Sequence, residues 1–82
     1  MIENIKKQFK KIDPEKYYST TEIHDMGVIL NNSLEPDLDT IYRRIRRKDL
    51  VAVNWGTEKM PKYYVLGSDL KSHLDRIYKL SK

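Results

Sequence analysis

Four arginines and a lysine crowd one short stretch: Arg43, Arg44, Arg46, Arg47 and Lys48. Guanidinium groups this close repel one another, and anionic partners relieve the repulsion. Phosphates do so along a nucleic-acid backbone, and the planar arginine fork also matches the acceptor edge of guanine in the major groove. A second basic cluster, Lys6, Lys7, Lys10 and Lys11, lies near the N-terminus, while Glu35, Asp37 and Asp39 gather elsewhere. The chain carries 16 Lys and Arg against 12 Asp and Glu, a net charge of +4. Segregation of the charge, more than its excess, argues for a polyanionic partner. The other reading is a pair of solvated helix faces with surface ion pairs, each worth at most about 1 kcal/mol.

Trp55, Tyr63 and Tyr64 suggest a different contact, flat faces on which unpaired bases stack. Strand alternation places at least one of the three in the core, where aromatics usually serve packing. Lys59 and Lys62 bracket the loop before the two tyrosines, at the tip of an expected hairpin that can touch phosphates. Reaction chemistry has little support. His24 and His73 fall on different expected helices with no carboxylate or nucleophile pattern around them, and both read as surface or boundary residues. Three scattered glycines make no phosphate loop, and the absence of cysteine excludes disulfides and thiolate metal sites. The sequence therefore predicts no catalytic residue, no metal, no cofactor and no enzyme.

The elements that must position these groups can be read from apolar spacing. Ile2, Ile5, Phe9 and Ile12 recur at helical intervals and form one stripe of an amphipathic helix, stopped by Pro14. A short extended stretch follows over 15–18. Ser19-Thr20-Thr21-Glu22 then fits a capping box for a second helix running from about Thr20 to Leu30, weakened at Gly27. Asn31-Asn32-Ser33 reads as a turn. Pro36 is expected in the first turn of a third helix, whose buried stripe is Leu34, Leu38, Ile41 and Ile45 and whose far side carries Thr40, Arg43 and Arg47. The run Leu50–Trp55 and the run Tyr63–Leu66 make a two-stranded hairpin. Gly67-Ser68-Asp69 then caps a last helix with Leu70, Leu74 and Ile77 inward.

At 82 residues, 39% of them hydrophobic, there is room for one thin core. The reading is α+β, with an amphipathic basic helix over 1–13 and the main domain over 14–82. Apolar runs are too short to cross a membrane, and the N-terminus has no signal-peptide pattern, so a cytoplasmic protein is expected.

The segment Thr40-Ile41-Tyr42-Arg43-Arg44-Ile45-Arg46-Arg47-Lys48-Asp49-Leu50-Val51-Ala52-Val53 resembles the excisionase and MerR-type winged-helix family. There a helix of the pattern T-[IV]-Y-R-x-I-R runs into a strand ending in A-V, and a wing follows. Tyr18–Ile23 resembles the family's opening and Leu66–Leu70 the start of its closing helix. The resemblance implies a winged helix-turn-helix of three helices, a two-stranded β-hairpin wing and a C-terminal helix. It places groove contacts on Thr40, Arg43, Arg44 and Arg47 and wing contacts on Lys59 and Lys62, with Arg46 and Lys48 beside them. The chain departs from the pattern in a longer connection between Gly27-Val28 and Thr40. It also has Lys48 where the family prefers glycine, a position that often needs left-handed backbone.

The expected partner is DNA, duplex in preference to single-stranded, bound by a monomer or homodimer acting as an accessory of a mobile element, phage or plasmid. One alternative is a single-strand-binding accessory of a polymerase or primase. Another is a protein adaptor that docks a larger recombination or replication protein through Ile2, Ile5 and Phe9.

Overall fold

The computed structural model describes residues 2–80. A strand, β1 (Tyr17–Ser19), runs directly into a helix, α2 (Thr20–Met26), and the junction is fixed by the expected capping box. Ser19 Oγ accepts from the Glu22 N–H at 3.1 Å, and Glu22 Oε1 accepts from the Ser19 N–H at 2.9 Å. The helix stops at Met26, short of the expected Leu30, because Gly27 takes left-handed backbone (φ 70°) and returns its N–H to the His24 carbonyl. Val28 and Ile29 are nevertheless fully buried, so irregular chain fills this part of the core.

The connection to the next helix is a built turn. Asn31 Oδ1 accepts from the N–H groups of Ser33 and Glu35, and Leu30 bridges Pro36. Pro36 therefore lies outside α3 (Leu38–Arg46), which begins after Asp37. Leu34, expected in the buried stripe, sits in the turn at φ 63° and is exposed; Leu38 is 36% exposed. Of the expected stripe, Ile41 and Ile45 are the residues buried in the core.

The expected two-stranded hairpin becomes a three-stranded antiparallel sheet. β2 (Val53–Asn54) and β3 (Tyr63–Leu66) pair as anticipated, though β2 is shorter than the apolar run that suggested it. β1 adds to the other edge of β3 with Tyr18 opposite Val65, giving the order β1-β3-β2. Both residues of that pair are buried. α4 (Gly67–Tyr78) follows β3 without a loop, and Gly67 opens it as its first residue. A Cβ at Gly67 would collide with the Asp13 carbonyl, since the Gly67 and Ser68 N–H groups donate to the Lys16 and Pro14 carbonyls at 2.7 and 3.0 Å.

α1 (Ile2–Lys11) lies against this body through Ile5, and Ile12 just beyond it joins the common core with Tyr18, Ile23, Ile41, Val65, Leu70 and Leu74. Ile77, expected inward on α4, is 40% exposed. The described residues thus form a small α+β domain of four helices and a three-stranded antiparallel sheet. Among the described residues no helix is long and apolar enough to cross a membrane.

Candidate nucleic-acid interface

With Ile41 and Ile45 turned inward, the 100° step of a helix decides what the rest of α3 presents. Asp39, Arg43, Arg46 and the following Arg47 are exposed. Arg43 lies 3.7 Å from Asp39 and Arg47 3.3 Å from Asp49, surface pairs with exposed side chains. Among the described residues Arg46 forms no such pair. Thr40, expected among the groove-facing residues, is buried, and its hydroxyl donates to Asp37 Oδ2 at 2.8 Å. That bond, first among several causes, holds the Asp37 carboxyl below its ordinary value. Thr40 secures the helix start and is not available to read a base.

Arg44 is half-buried and turns partly away from the exposed face. Its Nη1 donates to His73 Nε2 at 3.1 Å, on α4. An arginine can only donate, and Arg76 Nη2 also lies 3.1 Å from Nδ1. With the single proton of the neutral ring on Nδ1, Nε2 accepts from Arg44 and Nδ1 donates to the Asp49 carbonyl at 3.1 Å. The Arg76 approach to Nδ1 is then a contact without a hydrogen bond. Arg76 Nη2 donates to the same carbonyl at 2.6 Å. His73 is 3% exposed, not at the surface as its sequence context suggested. Burial, then the Arg44 and Arg76 charges, push its pKa down to about 4, so the ring is neutral. His24 is half-exposed, 3.0 Å from Asp25.

Beside an apolar groove lined by Ile45, Arg46, Leu50 and Tyr63, two polar concave surfaces flank α3. On one side Arg43, Arg44, Arg47 and the turn Asn31–Ser33 line a polar groove of about 350 Å³. On the other, Tyr42 shares a cleft with Lys62, Tyr63 and Tyr64 of the hairpin and with Ser19–Thr21 at the start of α2. Lys62 thus lies across a single cleft from α3, and Lys59 is exposed at the hairpin tip. The tip itself is ordered: Asn54 Oδ1 accepts from the Gly56 and Lys62 N–H groups, and Thr57 Oγ1 accepts from the Met60 N–H. Lys48, exposed at the end of α3, has φ 62°, the left-handed backbone implied by the family's glycine.

The aromatic residues divide. Tyr63 is half-buried, packs against the core and lies 6.2 Å from the Tyr42 ring, so only part of its ring is open to a ligand. Trp55 is 58% exposed, with Tyr64 at 4.7 Å and Tyr17 at 4.8 Å between ring centroids. Tyr17 was not anticipated in this cluster. Its signal was alternation in Tyr17-Tyr18, where burying one residue of a strand exposes its neighbour. Of the three N-terminal residues expected to contact a partner, Ile5 is buried, Phe9 is half-buried beneath Lys71, and Ile2 remains exposed. Among the described residues no group of three or more His, Asp or Glu is arranged to hold a metal. No family model, curated protein or solved structure matches the chain.

Proposed function

We propose that the chain is a winged helix-turn-helix DNA-binding protein, with α2 and α3 as the helix pair and the β2–β3 hairpin as the wing. The observation that carries this reading is the exposed edge of α3. Arg43, Arg46 and Arg47 stand on it, and Lys62 of the hairpin lies across one cleft from Tyr42 of the same helix. Such an edge suits a major groove, with the hairpin on the adjacent backbone. The proposed setting, an accessory or regulatory factor of a mobile element, phage or plasmid, rests on the resemblance over 40–53.

A second reading is favoured by the Tyr17–Trp55–Tyr64 cluster: a single-strand-binding accessory of a replication enzyme, stacking unpaired bases on Trp55. Fluorescence anisotropy on labelled duplex and single-stranded DNA of equal length and random sequence, across a salt series, separates the two. Tighter duplex binding with a steep salt slope is expected. Equal or tighter single-strand binding, with Trp55 quenched, transfers the function to the aromatic cluster. Binding to neither removes both readings.

A further inference from the structure

Arg44 differs from its three neighbours. It is half-buried, and among the described residues it has no carboxylate within ion-pair distance; its partner is a neutral imidazole. Burial lowers the guanidinium from its ordinary value, yet an arginine keeps its charge at any working pH. A partly desolvated cation without a contacting counter-charge is costly, and a bound anion offsets that cost. The groove that Arg44 lines is suited to one. Arg43 and Arg47 line it too, and the one acid on its wall, Asp49, contacts Arg47 and reaches Arg44 only through space. The opposite wall is the turn that lengthens the connection between α2 and α3. There Asn31 commits its side-chain oxygen to the Ser33 and Glu35 N–H groups, which leaves its NH₂ as a donor. At about 350 Å³ the groove is at the small end of ligand pockets, room for a phosphoryl group and part of what carries it.

We propose that this groove is a phosphate-binding site, in which Arg43, Arg44 and Arg47 hold one phosphoryl or phosphodiester group against the Asn31–Ser33 turn. The site goes beyond the duplex contact proposed above and is tested without DNA. Arginine forks give it geometric preference for tetrahedral oxyanions over halide. Two sources carry this chemistry, the backbone of a nucleic acid and a free phosphorylated small molecule.

The test is a titration of inorganic phosphate into the full chain, with chloride at matched ionic strength as reference. NMR follows the arginine Nε–H signals and the amides of Asn31–Ser33. Saturable shifts at Arg44 and the turn, absent with chloride, are expected. Asn32→Asp adds a carboxylate at an exposed wall position and should weaken phosphate by about tenfold or more. Ser72→Asp, an equal charge change on exposed α4 outside the groove, should stay within about twofold of the parent. Arg44→Gln should abolish saturation; if that variant fails to fold, the Asn32→Asp and Ser72→Asp comparison decides. Shifts spread evenly over the basic side chains, or equal losses in the two aspartate variants, overturn the proposal. Repeating both variants on duplex DNA identifies the source. A loss specific to Asn32→Asp assigns the site to a phosphodiester, and equal duplex binding assigns it to a free phosphorylated molecule. Saturable phosphate binding by a chain that binds no DNA would keep this site and end the duplex reading.

Discussion

Protonating His73 would put a new cation between Arg44 and Arg76 and remove the acceptor that Arg44 now uses. The folded ring titrates near 4 against an unfolded value of 6.5, so between these pH values the unfolded chain binds the extra proton. The contribution to stability is therefore complete above pH 6.5 and declines as the pH falls toward 4. Urea midpoints across that window should fall accordingly. His73→Gln, costing about 1–2 kcal/mol at pH 7 through its poorer hydrogen bonds, should show a flatter profile. Lys48 gives a second test at this scale. Left-handed backbone strains a residue with a Cβ, so Lys48→Gly should raise stability by about 0.5–1 kcal/mol after the glycine's extra unfolded-state entropy is counted. Spacing along α3 places Thr40, Arg43 and Arg47 opposite the buried stripe, because a helical period assigns faces, and Arg43 and Arg47 are exposed as that spacing requires. It could not reveal that Thr40 and Arg44 are engaged by Asp37 and His73, because those bonds depend on how the helix start and α4 pack.

Chain boundaries follow capping chemistry more closely than apolar periodicity. The Ser19–Glu22 box was legible because both partners lie within four residues, and Ser19→Ala should lower stability by about 1 kcal/mol in chemical denaturation. Met26 and Leu30 continued the apolar spacing past Gly27, yet the left-handed glycine ended the helix there, and Val28 and Ile29 reached the core without it. The third strand was less visible. Tyr17–Ser19 is too short to show alternation by itself, and its pairing with β3 joins residues nearly fifty positions apart. The sequence places Gly67 in a helix cap, but the N-cap is Leu66 with no side-chain bond, and the role of Gly67 comes from the same long-range closure. Its backbone meets the 13–16 segment that leads into β1, so Gly67→Ala should cost more than about 2 kcal/mol, or prevent folding, by thermal melts.

At the scale of the whole molecule, charge and core are arranged on different surfaces of the same elements. α1 turns Ile5 inward while Lys6, Lys7, Lys10 and Lys11 stay exposed, and α3 does the same with Ile41 and Ile45 against its arginines. A DNA ligand that touched only α3 would release counterions only there. One that seats α3 in a groove with the hairpin alongside must draw on both, and the salt dependence of binding counts the contacts. Each phosphate neutralised contributes about 0.9 to the slope of log K against log salt. Arg43→Ala with Arg47→Ala should therefore lower the slope by about 2, and Lys59→Ala with Lys62→Ala by a further 1 to 2 if the hairpin reaches the same duplex. These lysines are exposed, and their removal leaves the Asn54 and Thr57 hydrogen bonds of the tip in place, so the fold should persist. An unchanged slope in the lysine pair with a reduced one in the arginine pair would confine the footprint to α3. The reverse would move it to the hairpin and its exposed Trp55, the surface on which the single-strand reading depends.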